Sequence, residues 1–383
     1  MLDHLKYYFV QKEARIIGFV FLFNSFLFGN WVTRIPDVKQ QLGLNDADLG
    51  LALLAAPFGA MLIMPVSGWV IARFSLGRVV FVSSFFHLAS PIFLSTAPTF
   101  YLLAAALFYF GLTNALMDIA MNAAAAATEK KMAKPIMSTC HGMWSLGAMI
   151  GSGLGSIYVG LNIGVAIHLI PLSILVLIIV ALLAKPINSY SEEFSSDDKV
   201  FALPNLSLLG LAFIGFCILL SEGAIADWSA VYMSETLQSN AFMTGLAFSG
   251  FSALMALGRF SGDNLIPKFG AKYVAMFGAV ISFLGLGLTL LIADPYFSVL
   301  GFSITGLGYS CLVPVLFSSA AREPGYTAGT GIAAVTTLGY TGFLVGPPAI
   351  GFISEAFSLT IGLALVVVLS GACAVLSLFV RWN

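Results

Sequence analysis

The sequence predicts an all-α membrane protein of twelve transmembrane helices arranged as two pseudo-symmetric six-helix bundles, and three observations carry that prediction. Of 383 residues, 59% are hydrophobic and 9% are charged. An ordinary soluble domain carries roughly 25% charge, so a water-soluble fold of this size could not cover its surface. The apolar residues fall into runs of about 20 or more, the length that crosses a hydrocarbon core near 30 Å thick. The basic residues, finally, collect on alternate loops. Soluble enzymes and secreted disulfide scaffolds are disfavoured together, and with a formal net charge of −1 and no basic tract, no nucleic-acid partner is expected. Cys140, Cys217, Cys311 and Cys373 all lie in apolar segments without paired spacing, and read as small buried hydrophobes. No cofactor and no metal site are expected.

The elements follow in order. The polar N-terminus carries Lys6, Lys12 and Arg15, and no small-residue cleavage site follows the apolar stretch after it, so that stretch is read as a retained first span. Polar or turn-rich breaks place spans at 14–34, 48–72, 79–97, 100–127, 137–159 and 163–184. A serine-rich, acidic connector bounded by prolines then occupies 185–204, and further spans follow at 206–233, 243–267, 273–293, 296–320, 327–354 and 358–380. The chain thus divides into an N-terminal bundle (1–184), a cytoplasmic linker (185–204) and a C-terminal bundle (205–383). With the N-terminus inside, 14 of the 17 Lys and Arg fall on cytoplasmic loops; Arg34 and Lys39 fall outside, and Arg259 sits within a span. That asymmetry puts both ends in the cytoplasm, with a bacterial inner membrane as the expected location.

The halves echo one another. Asn30-Trp31 matches Asp227-Trp228, Leu49-Gly50 matches Thr244-Gly245, and Gly68 with Arg73-Phe74 matches Gly262 with Lys268-Phe269, at offsets of 197, 195 and 194 to 195. A duplicated six-span unit is a transporter architecture, with the substrate site near the midplane between the halves.

These features resemble the major facilitator superfamily over essentially the whole chain. Gly68-Trp-Val-Ile-Ala-Arg73-Phe-Ser-Leu-Gly77-Arg78 is similar to that family's glycine/basic loop motif, which implies a gating role for Arg73 and Arg78. The motif's usual acid is Ala72 here, with one extra residue before Gly77, so the acid's gating role does not carry over. The strings Trp31-Val-Thr-Arg34-Ile-Pro36, Met117-Asp118-Ile-Ala-Met121-Asn122 and Ser138-Thr-Cys-His141-Gly-Met-Trp144-Ser145-Leu-Gly147 resemble a bacterial branch related to the fucose permease. That resemblance implies proton-coupled secondary transport of a small polar, sugar-like solute by a monomer. Ser152 stands where antiporters of the superfamily commonly carry proline, which favours import.

Ionisable groups near the bilayer centre cost roughly 2.5 to 3.5 kcal/mol on insertion scales and are functional candidates by default. Asp118, with Asn114 and Asn122 one turn to either side, forms a polar stripe within an arc of about 80°. Asp118 is expected to bind the coupled proton, the alternative being a static network joining spans 4 and 5. His141 lies at similar depth and is a relay candidate, while His87 and His168 read as structural. Glu222 is a second candidate for protonation or solute binding. Asp227 is expected at an outer gate opposite Arg34, about 140° around the helix from Glu222. Asn24, Phe28 and Trp31 give span 1 an amide and two rings on one face, suited to a ring-shaped polar solute, although Trp31 also fits an interfacial anchor. Arg259 precedes Asp263 by four residues, so an internal ion pair is the simplest expectation; pairing with Asp118 or another acid across the interface is the sharper one. Tyr309 and Tyr340 are expected to offer hydroxyls to the solute. The four-residue glycine spacings at Gly147, Gly151, Gly155 and at Gly342, Gly346 fit close helix packing.

The function expected is therefore symport by alternating access, with proton-coupled efflux of amphipathic compounds as the alternative. A membrane-embedded enzyme would need a catalytic constellation at one depth, and none is visible. A passive channel would need a repeat about more than two halves.

Overall fold

The computed structural model describes residues 7–190, 204–324 and 326–382, with the side chains at 263, 264, 328 and 329 excepted. Most of the acidic connector therefore lies outside the described residues. The long helices are α1 (Lys12–Val32), α2 (Asp46–Phe74), α3 (Leu76–Thr96), α4 (Phe100–Met132), α5 (Met137–Gly160) and α6 (Val165–Leu182). They continue as α7 (Leu209–Val231), α8 (Leu246–Phe269), α9 (Ala271–Ile292), α10 (Pro295–Tyr309, resumed at Leu312–Ala321), α11 (Ala328–Ala356) and α12 (Leu359–Phe379). Each expected span coincides with one of these helices to within a few residues. Among the described residues ten are long and apolar enough to cross a membrane; α5 and α11, of 24 and 29 residues, pack among them.

Local chemistry sets several helix starts. Asn45, Thr99, Asp294, Thr327 and Ser358 each accept a hydrogen bond from a main-chain N–H of the first turn, satisfying donors that would otherwise be orphaned. Two departures from a plain α-helix stand out. α7 ends in a π-helical turn at Tyr232–Thr236, and α10 breaks after Tyr309.

The internal repeat extends to backbone conformation. α3 and α9 start at Leu76 and Ala271, and α4 and α10 at Phe100 and Pro295, both pairs 195 residues apart. The residues before α3 and α9 share an unusual geometry: Ser75 has φ 70 and ψ 143, and Gly270 has φ 81 and ψ 152. Glycine adopts this region freely, whereas a side chain makes it costly.

Packing within each half is close and equivalent. Gly147, Gly151 and Gly155 of α5 lie against the main chain or short side chains of α1, where an added Cβ would collide with Leu22 O, Phe26 O and Thr33. Gly342 of α11 meets Phe216 O of α7 in the same way. Between the halves two seams repeat the pattern. α8 lies along α5, with Ser152 Oγ donating to Gly245 O (3.1 Å), Ser249 Oγ to Met149 O (3.0 Å) and Ser138 Oγ to Arg259 O (2.9 Å). α2 lies against α11 at Gly50, whose missing Cβ would stand 2.6 Å from Pro347 O. Gly50 and Gly245, 195 residues apart, thus do the same work in the two halves: each lets a helix start press on the opposite bundle. Ser152, read from the sequence as a departure from proline, is a tie between the halves.

The shared geometry at positions 75 and 270 makes opposite substitutions informative. Ser75→Gly is expected to stabilise the protein by about 1 to 3 kcal/mol and raise its thermal midpoint in detergent. Gly270→Ala is expected to lower it by a similar amount, since open space around that position leaves backbone strain as the sole penalty. Equal midpoints for all three proteins would contradict the repeated geometry.

Candidate functional site

A cavity of about 230 Å³ lies between the halves. Its polar wall comprises Asn24 of α1, Asn114 and Asp118 of α4, Glu222 and Asp227 of α7, and Tyr340 of α11. The rest is largely aromatic and aliphatic, including Phe28, Trp31, Phe110, Trp144, Phe248, Phe251, Met61, Met64 and Met255. The rings contact one another: Phe28 stacks on Phe110 (6.1 Å) and meets Phe248 edge-on (5.9 Å), and Phe248 stacks on Phe251 (6.0 Å).

A polar chain runs from one half to the other. Asn24 Nδ2 donates to Asn114 Oδ1 (3.0 Å), and Trp144 Nε1 donates to Asn24 Oδ1 (2.9 Å). The Arg259 guanidinium lies over the Trp144 ring (5.9 Å), donates to Ser145 Oγ (2.8 Å) and reaches Glu222 Oε2 at 4.0 Å. Glu222 Oε1 is buried without a hydrogen-bond partner. Arg259 therefore belongs to the cavity network through Glu222 on its own half and Ser145 on the other. The sequence-based pairing with Asp263 falls on a side chain outside the described residues. Trp144, which had no expected role, is the hinge of this chain. Its signal was position: a tryptophan well inside a span is away from the interfacial belt where that residue collects.

The other expectations divide. Asn114 and Asp118 share the cavity wall, and Asn122 turns back to donate to Asp118 Oδ1 (3.2 Å) and lies off the wall. His141 sits edge-on to Phe21 (5.5 Å), and among the described hydrogen bonds none joins it to Asp118. Tyr309 is a correction. Its side chain is 1% exposed and its hydroxyl bonds Ser370 of α12 at 2.5 Å, so it stabilises the interior of the C-terminal bundle and does not face the cavity. Tyr340 does face it. Glu222 and Asp227 line the same cavity despite their angular separation, because the cavity meets more than one face of α7. His168 and His87 are buried, and His168 Nδ1 accepts from Arg34 Nε while its Nε2 bonds Asn30 Oδ1, both at 2.8 Å.

Arg34 is the second correction. It is 2% exposed and donates to His168, to Asp37 Oδ2 (2.6 Å) and to Ile163 O (2.7 Å), all within its own half. These neighbours consume the guanidinium, leaving Asp227 to the cavity. The tie between halves at this face is Lys39, on the short helix Ile35–Leu42. Its ammonium reaches Asp46 Oδ1 and Glu235 Oε2, both at 2.5 Å, and Glu235 stands on the π-helical turn that ends α7. Asp46 in turn accepts from the Ser354 hydroxyl of α11, and its main-chain N–H donates to Glu355 Oε2 (3.2 Å). Lys39 was visible in the sequence as one of two basic residues on outer loops; its partner in the other half, Glu235, lies 196 residues away and had no local signal. At the opposite face Arg73 and Arg78 are exposed. The described ion pairs do not include either one, and Arg73 lies over Phe74 (5.9 Å). Gly77 instead docks the motif loop, its N–H donating to Tyr190 O (3.0 Å).

Burial alone would lower the Lys39 pKa, but the hydrogen bonds it donates to Asp46 and Glu235, with their negative charges, outweigh it and hold the value above that of an ordinary lysine. A raised pKa means that this contribution is complete below the ordinary lysine value, about 10.4, and fades only as pH rises through the higher one. Lys39→Met is expected to open this face, raising about tenfold, or about 1.4 kcal/mol, the labelling rate of a cysteine placed at cavity residue Leu53 by an impermeant maleimide added from that face. The ratio of variant to parent rates is expected to hold constant from pH 7 to pH 9. Equal rates in the two proteins would remove Lys39 from the closure.

Comparison with known proteins places this geometry. The Major Facilitator Superfamily model matches residues 16–340 and 211–383. An MFS-type transporter of Yersinia pestis is 33% identical over 345 residues, covering 88% of each chain. Among solved structures, the nucleoside transporter NupG is similar with a TM-score of 0.70 at 15% identity, over 96% of this chain and 98% of that one. The fucose:proton symporter FucP of E. coli has a TM-score of 0.66 at 16% identity, over 97% and 98%. At those identities the structures share the fold alone, but the family match and the Yersinia relative span nearly the whole chain: this protein belongs to the major facilitator superfamily and is a multi-pass membrane transporter.

Proposed function

We propose that the protein is a proton-coupled symporter that carries a small ring-shaped polar solute by alternating access around the central cavity. The observation that supports this most is the juxtaposition, on one cavity wall, of hydrogen-bonding amides with stacked rings. Asn24 and Asn114 offer polar contacts while Phe28 and Trp144 offer faces on which the C–H surface of a ring can pack. The solutes named for two proteins of similar fold, nucleoside and fucose, are ring-shaped and polar, which agrees with this reading.

Asp118 is the coupling residue in this scheme. It faces the cavity with one neutral donor, Asn122, and the described ion pairs give it no cation. An ionised carboxylate in that setting is costly and a protonated one is not, so solute and proton can enter together and leave together. Glu222, loosely held by Arg259, is the second proton-accepting group. The asymmetry of lysine and arginine along the chain supports a reading with both termini and the exposed motif loop in the cytoplasm of a bacterial cell and the Lys39 closure outside. The structure is then closed to the exterior.

The specific alternative, proton-coupled export of amphipathic compounds, draws support from the methionine and phenylalanine share of the wall. Uptake into proteoliposomes over a panel of radiolabelled sugars and nucleosides, with and without an inward proton gradient, separates the two. Symport predicts gradient-stimulated uptake that Asp118→Asn abolishes, with at least a tenfold loss of the stimulated rate. Solute loss from the lumen driven by the same gradient would favour the alternative, and stimulation untouched in Asp118→Asn would remove Asp118 from coupling.

A further inference from the structure

The charge balance of the cavity goes beyond a neutral solute. Asp118, Glu222 and Asp227 all line it, and among the described residues no lysine, arginine or histidine does. Arg259 stands behind Trp144 and is committed to Ser145 and Glu222. Asp118 has its donor in Asn122. Asp227 is half-buried on the wall, and among the described residues no hydrogen bond or salt bridge reaches it. Under the match of Asn30-Trp31 with Asp227-Trp228 it corresponds to Asn30 of α1, and it lines the same cavity as Trp31, Phe28 and Phe248. Phe28 and Phe248, which also line the cavity, meet edge to face at 5.9 Å.

An unpartnered carboxylate and aromatic faces lining one cavity are the groups that recognise an ammonium: the anion supplies the counter-charge and the rings supply their negative faces. A neutral polyol would leave that carboxylate without a counter-charge in a largely apolar cavity, which is unfavourable. We propose that the transported solute is a small organic cation, a ring compound bearing a protonated amine, whose ammonium is received by Asp227 and whose apolar face rests on Phe28, Trp31 and Phe248. This rests on the transport role proposed for the cavity and names the class of solute. Asp118 and Glu222 remain the proton-binding groups, so cation and proton occupy different carboxylates and do not exchange for one another.

Equilibrium binding to the purified full-length protein at pH 7, with no gradient imposed, tests this separately from coupling. Two matched probe pairs are titrated, phenethylamine against 2-phenylethanol and glucosamine against glucose, with binding read from tryptophan fluorescence and from the thermal midpoint. In at least one pair the amine is expected to bind tenfold or more tightly than its hydroxyl counterpart. Asp227→Asn is expected to bring that pair within about twofold, and Asp227→Glu to retain the preference. If neither amine exceeds its counterpart, whether both bind equally or neither binds, the proposal is overturned; that comparison needs no variant. An amine preference that survives in Asp227→Asn overturns the assignment to Asp227. Because no proton gradient enters the measurement, a failure of proton coupling would leave these outcomes unchanged.

Discussion

Close approach of helices at small residues is the constraint on which the rest of the structure depends. In a membrane no hydrophobic force drives helices together, since lipid tails are as apolar as leucine, and association relies on fine packing and on hydrogen bonds. The two seams between the halves are built that way. At α5 and α8 serine hydroxyls bond main-chain carbonyls across the seam, and at α2 and α11 Gly50 brings backbone against backbone. Where a large side chain does cross, it seats at a glycine, as the Phe260 ring of α8 does against Gly142 of α5. The space left between these seams, lined mainly by α1, α2, α4, α7, α8 and α11, is the cavity.

Charge placement complements that packing. The scarcity of ionisable residues leaves a few groups with identifiable work. Lys39 draws Asp46, at the start of α2, and Glu235, on the π-turn of α7, to one ammonium. Arg259 joins the cavity wall to the α5 seam through Ser145. Asp118 and Asp227 are left facing the cavity with no cation beside them. In the scheme proposed above, these two acids stand in the path of solute and proton.

Much of the fold was legible in the sequence because its signals are local or periodic. Apolar runs marked the helices, and the offset between Leu49-Gly50 and Thr244-Gly245 marked two positions that meet the opposite half in equivalent ways. The polar stripe of Asn114 and Asp118 was legible for the same reason: helical spacing alone puts both residues on one face. Contacts between distant segments were not legible. Arg34 looked like a gate residue because it is a cation at the outer end of a span, but His168 and Ile163 occupy it, and they lie more than 120 residues away. Tyr309 was expected to offer its hydroxyl to the solute, yet the break in α10 beside it and its bond to Ser370 turn it into the C-terminal bundle. Trp144 could have been weighed more heavily, since a mid-span indole needs a partner for its N–H.

The central claim is that the two halves tilt about the α5–α8 and α2–α11 seams so that the faces open in alternation. Paired spin labels measure it most directly, one pair at Gln40 and Gln238 on the closed face and another at Lys130 and Arg322 on the opposite face, all exposed positions. Distance distributions recorded in lipid across a range of pH and with the Lys39→Met change should show reciprocity: as the first distance lengthens, the second shortens. Distances that lengthen together, or that stay fixed while solute is transported, would contradict the account.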